Sequence, residues 1–318
     1  MKKPLEHIRV LDLSRVLAGP MASQTLADLG AEVIKIERPD SGDDTRNWGP
    51  PFLTSDTHEG QRESAYFLSA NRGKKSVTLD FTRAEGQKLV RDIAGHCDIV
   101  LENFKFGGLA KYGLDYESLC TVKPDLIYCS ITGFGHTGPY RDRVGYDFMI
   151  QGMSGLMSIT GEPDERPGGS PMKVGVAVSD IFTGLYSTIG ILAALQHRDR
   201  TGEGQHIDMA LLDSQVSVLA NQAMNYLVGG VVPGRAGNAH QNIVPYGVFP
   251  TRDGHMILGI GNNTQLTKFL EIAGRPELME DPRFKTNTLR VENRDAIVAI
   301  VGGITAMRDL DDWLAELE

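Results

Sequence analysis

The chain has 318 residues, of which 41% are hydrophobic, and it carries a formal net charge of −9. This length and composition suffice for a sizeable core and predict a globular protein of two domains. No dense run of lysine and arginine is present, which argues against a nucleic-acid partner. No stretch reaches membrane-spanning length and the N-terminus lacks the apolar segment of a secretion signal, so we expect no membrane association.

Cysteine and histidine usage gives little support to a metal or disulfide site. Cys97, Cys120 and Cys129 are odd in number and show no CxxC spacing, which predicts a reduced, cytoplasmic protein. The eight histidines do not form an HxxxH pair with an acidic residue, so no metal site is expected.

Short apolar segments alternate with helical patterns over the first two thirds of the chain. Strands are predicted at residues 8–13, 32–37, 76–80, 98–102, 126–132 and 205–210, and helices at 21–29, 84–95 and 211–228. This alternation predicts an α/β, Rossmann-like domain with a mainly parallel sheet. Ligands of such sheets bind at the carboxyl ends of the strands.

Breaks in the pattern divide the chain. Gly229-Gly230 and Pro233-Gly234 predict a linker at 229–240, between a large α/β domain at 1–228 and a smaller α+β domain at 241–318. Residues 38–63 form a long loop, which is typical of a functional segment. The sequence ends within a helical pattern without a stop signal, so we expect a truncated chain.

Asp180 is the most informative single residue. It follows the apolar run 174–178 and precedes a long helical pattern that includes Ile181, Leu185 and Leu195. We therefore expect a carboxylate between a buried run and a buried helix, which is costly unless the group is hydrogen-bonded or used. Either Asp180 or Ser179 caps the helix, or Asp180 is catalytic, and this stretch alone leaves both alternatives open.

Other motifs narrow the chemistry. Residues 133–138 match GxGxxG, but no helix pattern follows them directly, which makes a dinucleotide site improbable. The sequence has no GxSxG motif, so a carboxylate is the best candidate nucleophile. Basic residues surround the long loop, namely Arg38, Arg46, Arg72, Lys74 and Lys75, and by themselves they fit either a phosphate site or a solvated strand entry. Lys111 and Arg141 in addition favour a phosphate-bearing ligand.

Several motifs together resemble the class III CoA-transferases, the formyl-CoA-transferase-like family. They include RVLDLSRVLAGPMASQTLADLG, NRGKKSVTLD, LENF, SITGFGHTGP, GYDF, VAVSDIFTGLY and RTGEGQHIDMALLDSQV, in order along essentially the whole chain. Four further segments are most similar to the dicarboxylate branch of this family, the succinate–hydroxymethylglutarate CoA-transferases. They are SGDDTRNWGPPF, GNAHQNIVPYGVF, GIGNNTQ and FKTNTLRVENR.

The resemblance implies a set of roles. Asp180 would attack an acyl-CoA thioester and carry acyl-aspartyl anhydride and aspartyl-CoA thioester intermediates. It also implies an interlocked homodimer, no tightly bound cofactor, and an acyl-CoA and a carboxylic acid as substrates. CoA contacts are expected at Leu17, Ala18, Arg38, Lys74, Lys75, Asn103, Phe104, Lys111, Arg143 and Tyr146. Arg46 and, second to it, His240 are candidates for the acceptor's distal carboxylate.

Two alternatives stay open. An α-methylacyl-CoA racemase shares Asp180, but that branch has a histidine where this chain has Tyr146 and a glutamate near Asn263. Racemisation needs proton-transfer groups on both faces of the α-carbon. A non-catalytic CoA-binding protein is the other alternative, against which the retention of Asp180 argues.

Overall fold

The computed structural model describes residues 2–54 and 62–317. The strands are β1 (Arg9–Asp12), β2 (Glu32–Glu37), β3 (Phe52–Thr54), β4 (Arg62–Ser64), β5 (Lys74–Thr78), β6 (Ile99–Glu102), β7 (Ile127–Thr132), β8 (Gln205–Ala210), β9 (Tyr246–Pro250) and β10 (His255–Gly259). The helices are α1 (Ala18–Asp28), α2 (Ala65–Ala70), α3 (Ala84–Ala94), α4 (Tyr116–Cys120), α5 (Asp147–Met153), α6 (Leu156–Ile159), α7 (Val178–Thr201), α8 (Leu211–Ser217), α9 (Asn221–Gly229), α10 (Asn263–Ile272), α11 (Asn287–Glu292), α12 (Arg294–Thr305) and α13 (Leu310–Leu317). Short 3₁₀ turns lie at Asp44–Asn47, Ala110–Tyr112 and Pro276–Glu280.

The main sheet has six parallel strands in the order β5-β2-β1-β6-β7-β8. Val10 and Leu11 point to opposite faces of β1, and each belongs to a separate apolar core, one on either side of the sheet. The predicted α/β fold with a parallel sheet is confirmed. The chain winds outward in opposite directions from β1 and β6, which makes the carboxyl ends of these two strands a topological switch point.

Two compact units make up the chain. The first contains residues 1–156 and 173–220, and the second contains 157–172 and 221–318. The second unit has the antiparallel pair β9–β10 and a core around Phe249, Phe269 and Trp313. The structure thus divides the chain at other points than the predicted 1–228, 229–240 and 241–318. The predicted helix at 211–228 is two helices, α8 and α9, which fall in different units.

The long loop at 38–63 contains more structure than its composition indicated. A 3₁₀ turn at Asp44–Asn47 precedes β3, which pairs with β4 in an antiparallel ladder from Phe52 opposite Ser64 to Thr54 opposite Arg62. The middle of this predicted loop, residues 55–61, lies outside the described part of the chain.

Helix α7 differs from the sequence expectation in two respects, the structure of the segment before it and the residues that form its buried face. The run 174–178 is not a buried strand: Val176 is 57% exposed, and the helix begins at Val178. The apolar pattern is buried only in part, because Leu195 is buried whereas Leu185 and Ile189 are exposed. The other buried residues of the helix are Ser179, Thr183, Gly184, Ser187, Thr188, Ile191 and Ala194. Small and hydroxyl-bearing residues let the backbones of α7 and α1 approach closely.

The length of α7 corrects a further expectation. By length and composition alone this 24-residue helix would suffice to cross a membrane. Its buried face nevertheless packs on α1, and Gly184 lies against the Ala18 carbonyl. These contacts are those of a core helix.

Gly184→Ala tests the contact between α1 and α7. A Cβ at this position would lie 2.7 Å from the Ala18 carbonyl oxygen and 3.0 Å from the Met21 Cβ. We expect a loss of about 1–3 kcal/mol in the free energy of unfolding, measured by urea denaturation.

The matched control is Gly190→Ala on the same helix, where the nearest atom to a new Cβ is Ile207 Cγ2 at 3.4 Å. There the better helix propensity of alanine is expected to leave the stability unchanged or raise it by up to about 1 kcal/mol. Equal effects of the two substitutions would show that the α1–α7 contact is not tight.

Candidate active site

A cleft of about 860 Å³ opens at the topological switch point of the sheet. Its walls come from the segments that follow the carboxyl ends of the parallel strands: residues 13–18 after β1, Arg38 after β2, Asn103 and Phe104 after β6, and Gly133 after β7. The first residue of α5, Asp147, and the first turn of α7, with Asp180, complete it. The sheet topology therefore gathers distant segments of the sequence at one site.

Most of the residues predicted from the sequence line this cleft. They are Leu17, Ala18, Arg38, Asn103, Phe104, Lys111, Arg143, Tyr146 and Asp180. Lys74, Lys75 and Arg46 are not among its lining residues, and His240 belongs to the second unit.

Lys74 and Lys75 have roles outside the cleft. Lys74 is buried, and its Nζ donates to Asp12 Oδ2 at 3.2 Å, to the Pro20 carbonyl and to Asn71 Oδ1. Lys75 is exposed and pairs with Glu32 at 2.6 Å. These contacts argue against the CoA-phosphate role that we expected for the two lysines.

Arg46 and His240 also make structural contacts. The Arg46 guanidinium donates to Glu37 at 2.7 and 2.8 Å and to Glu63 at 2.9 Å, and it lies over the Phe67 ring. The guanidinium is thus engaged by Glu37 at the end of β2 and by Glu63 in β4, which argues against acceptor binding. In the second unit, His240 Nδ1 accepts from the Asn242 amide at 3.0 Å.

The turn after β1 is fixed to the turn after β6. The Arg15 amide donates to Asn103 Oδ1 at 2.9 Å, and Asn103 Nδ2 donates back to the Arg15 carbonyl at 2.6 Å. The Phe104 amide donates to the buried Glu102 Oε2 at 2.7 Å. Asn103, which we predicted to contact CoA, therefore joins two of the turns that line the cleft.

Two arginines share one carboxylate at the mouth of the cleft. Asp44 accepts from Arg15 at 2.9 Å and from Arg38 at 2.6 Å, and all three side chains are at least about one third exposed. A phosphate bound at these guanidinium groups would have to compete with Asp44. Lys111 and Arg143 add positive charge along the same lining.

A buried ion pair shapes the floor beside this cluster. Lys35 lies 3.0 Å from Asp43 and donates to the Ser14 carbonyl at 2.7 Å. Asp43 also accepts from the Val16 amide at 3.2 Å, and Val16 has a φ of 71°. A left-handed valine is strained and is held only by such surrounding contacts. The backbone thereby enters α1 at Leu17, whose side chain supplies no cap to the helix.

Two glycines bring the remaining wall into place. A Cβ on Gly133 would lie 2.5 Å from the Gly145 Cα, so the turn after β7 and the residue before Tyr146 touch through their backbones. The GxGxxG segment accordingly does not open a helix; the next helix after it is α5, which begins at Asp147.

Asp180 lies in the first turn of α7 but does not cap it. Asp147 Oδ1 accepts from the Ser179 amide at 2.9 Å and from the Asp180 amide at 3.4 Å, while Ser179 Oγ donates to Gln215 Oε1. The capping interpretation of Ser179 and Asp180 is therefore wrong. Burial, with a further contribution from the negative charge of Asp147, raises the pKa of Asp180 to about 7. A carboxyl group with this pKa in a cleft is a functional-site candidate.

Sequence reasoning missed several lining residues. It did not include Lys35, Trp48, Lys105 or Asp147 in the site. The motif GYDF contains Asp147, and that motif was the available signal. Nothing in the local pattern marked Trp48, which lies in the long loop with its ring edge-on to Tyr66.

Comparison with known proteins decides the family. The model of CoA-transferase family III matches residues 5–318. The chain belongs to this family. It is 56% identical over 317 residues to the succinate–glutarate CoA-transferase of Agrobacterium fabrum, covering 100% of this chain and 78% of that relative. It is 48% identical to the mouse succinyl-CoA:glutarate CoA-transferase, covering 99% of this chain and 70% of that one.

A solved structure gives the same result. The crystal structure of a CAIB/BAIF family protein from Brucella suis is 57% identical, with a TM-score of 0.84 over 100% of this chain and 82% of that one. The family resemblance stated from the motifs is confirmed, and the protein is a family III CoA-transferase.

Lys74→Met and Lys75→Met form a matched pair that tests the structural assignment of the lysines. Lys74→Met leaves the buried Asp12 carboxylate, whose pKa is lowered to about 2, without its ion pair. We expect a loss of about 3–5 kcal/mol in the free energy of unfolding by urea at pH 7. Lys75→Met removes an exposed pair and should cost about 1 kcal/mol or less.

CoA affinity should be unchanged in Lys75→Met when measured by titration calorimetry. A large loss of affinity there, with stability intact, would restore the phosphate-binding role that the sequence predicted.

Proposed function

We propose that this family III enzyme transfers CoA from succinyl-CoA to a dicarboxylate of the glutarate type, through covalent intermediates on Asp180. The observation that carries the covalent part is the position of Asp180, which lines the cleft in the first turn of α7 and has a raised pKa. The substrate pair is inferred from the names of the two relatives at 56% and 48% identity.

The proposed reaction has four steps. An Asp180 carboxylate oxygen attacks the thioester carbonyl carbon, the carbon–sulfur bond breaks, and CoA leaves as thiolate from an acyl-aspartyl anhydride. The thiolate attacks the aspartyl carbonyl carbon, which gives an aspartyl-CoA thioester and free succinate. The acceptor carboxylate attacks the carbonyl carbon of this thioester, the carbon–sulfur bond breaks, and CoA leaves again as thiolate from a second anhydride. The thiolate then takes the acceptor acyl group and frees Asp180.

The charge distribution of the cleft suits a CoA thioester. Arg38, Lys111 and Arg143 place positive charge for the phosphates, and Leu17 and Ala18 bring apolar side chains and the start of α1 to the same lining. Local positive charge is needed because the chain as a whole is acidic. CoA enters this account as a substrate and not as a resident cofactor.

No observation on the described residues favours the racemase alternative. Where the racemase branch has a histidine, this chain has Tyr146, which is 68% exposed and carries no imidazole. Asn263 Nδ2 donates to the Lys285 carbonyl, and its Oδ1 accepts from Arg290 at 2.9 Å, so its amide serves the packing of the second unit. The non-catalytic alternative leaves the raised pKa of Asp180 without a use.

Two further parts of the proposal concern the state of the protein. We propose a homodimer, because α7 presents an apolar face with Leu185 at 41% and Ile189 at 59% exposure that a second copy of this chain would cover. We also propose a cytoplasmic location, for which the free cysteines Cys97, Cys120 and Cys129 are suited.

Intact-protein mass spectrometry after incubation with succinyl-CoA tests the covalent step, with hydroxylamine as a trap. We expect a hydroxylamine-sensitive adduct on the wild type, none on Asp180→Ala, and a loss of at least about a thousandfold in transferase activity for that variant. Adduct formation should rise with pH through about 7, because the attacking form is the carboxylate.

The matched control is Asp213→Ala on α8, where the aspartate is exposed and outside the cleft lining. This variant should behave as the wild type. An active enzyme that forms its adduct equally well without Asp180 would contradict the proposal.

A further inference from the structure

We infer that Asp147 is a positioning residue for Asp180: it caps α7 beside the nucleophile and holds next to it a second negative charge whose repulsion is relieved on acylation. The inference rests on the proposed covalent role of Asp180. It concerns a residue that sequence reasoning did not include in the site, although Asp147 lines the same cleft.

The cap is made by a distant segment and not by α7 itself. Asp147 is the first residue of α5, and its Oδ1 accepts from two successive first-turn amides, Ser179 N at 2.9 Å and Asp180 N at 3.4 Å. A helix N-terminus ordinarily stabilises a carboxylate through such amides. Here those amides are directed to Asp147, and the Asp180 carboxyl group is left without them.

The other oxygen of Asp147 is fixed as well. Oδ2 accepts from Gln151 Nε2 at 2.8 Å, one turn further along α5. Gln151 is fully buried, and its Oε1 accepts from the Val174 amide at 2.9 Å, so the amide group has one favourable orientation. Position 147 therefore needs acceptors on both of its atoms. An aspartate supplies two acceptors, whereas an asparagine would turn a donor toward Gln151.

Few other charges face Asp180 within the described residues. On α2, burial raises the pKa of Tyr66, and the negative charges of Asp180, Asp147 and Asp43 raise it further. On α8 the aspartate Asp213 is exposed, and on α1 the titratable residue is Asp28, at the far end of that helix. β7 presents Cys129 beside Ser187, two turns beyond Asp180. On β8, His206 contacts Ser130 Oγ, and Asp208 accepts from the His136 amide.

Asp147 is thus the charged neighbour that acts on Asp180. Together with burial, which has the larger effect, it raises the pKa of Asp180 to about 7. Above this pH two carboxylates lie together in the free enzyme. Acylation converts Asp180 into a neutral anhydride while the thiolate carries the charge away, so the repulsion between the two groups ends. The pair therefore favours attack on the thioester.

Asp147→Asn removes this charge and is the decisive variant. The titration of the Asp180 carboxyl group, followed by ¹³C NMR with labelled aspartate and assigned with Asp180→Asn, should move to lower pH by at least about one unit. The low-pH side of the pH–rate profile of acylation, its acid limb, should move by the same amount. At pH 8 the rate should fall about tenfold, because the carboxylate is then a weaker nucleophile.

A merely structural role would lower rate and stability alike at every pH and leave the acid limb in place. Asp213→Asn, which removes an exposed charge, controls for net charge and should leave the titration unchanged. If Asp147→Asn does not fold, as judged by its melting temperature, Asp147→Ser provides a neutral cap with a hydroxyl acceptor and is expected to give the same shift.

The outcomes separate the two proposals. An unshifted Asp180 titration in the folded Asp147 variant would overturn the inference, whatever the activity. Absence of an acyl adduct on the wild type would overturn the proposed function, and the NMR titration would still report whether Asp147 acts on Asp180.

Discussion

The site depends on one hydrogen-bonded contact, between the Asp147 carboxylate and the first amides of α7. This contact joins α5 to the helix that carries Asp180 and leaves two acidic groups side by side at the cleft. Other close contacts make it possible: Gly133 against Gly145 brings the start of α5 to the end of β7, and Gly184 lets α7 lie on α1. These small residues let the segments that carry the two acidic residues pack closely on their neighbours.

Two buried ion pairs lie beside the cleft and fix the backbone there. Lys35 with Asp43 and Lys74 with Asp12 are almost fully buried pairs, and burial lowers the pKa of Lys74 to about 8 while its partner opposes that shift. Such pairs contribute little net stability, but loss of one partner is costly. Their effect here is positional, since the Lys35 pair fixes the strained Val16 at the entry to α1. The cations that stay partly exposed at the cleft are Arg15 and Arg38.

The sequence allowed much of the fold and part of the site to be predicted, for identifiable reasons. Strand and helix periodicity located the six parallel strands to within two residues, and the strand ends that line the cleft followed from topology. The sequence did not reveal which side chains pair with each other in the folded chain. In the sequence, Lys74 and Arg46 look like free cations. Only the fold reveals that Lys74 pairs with Asp12 and that Arg46 pairs with Glu37 and Glu63. Leucine and isoleucine spacing on α7 correctly indicated a helix but predicted its buried face only in part, because the tight packing uses serine, threonine and glycine.

Isotope transfer tests the central claim, that Asp180 carries the acyl groups, most directly. In one turnover with succinyl-CoA and a glutarate acceptor labelled with ¹⁸O in its carboxylates, attack on the aspartyl thioester makes a labelled oxygen the bridge of the anhydride. Departure of the acceptor acyl group to the thiolate leaves that oxygen on Asp180. We therefore predict one ¹⁸O in the peptide that contains Asp180, with unlabelled succinate released. Formation of the new thioester with no label in that peptide would contradict the account.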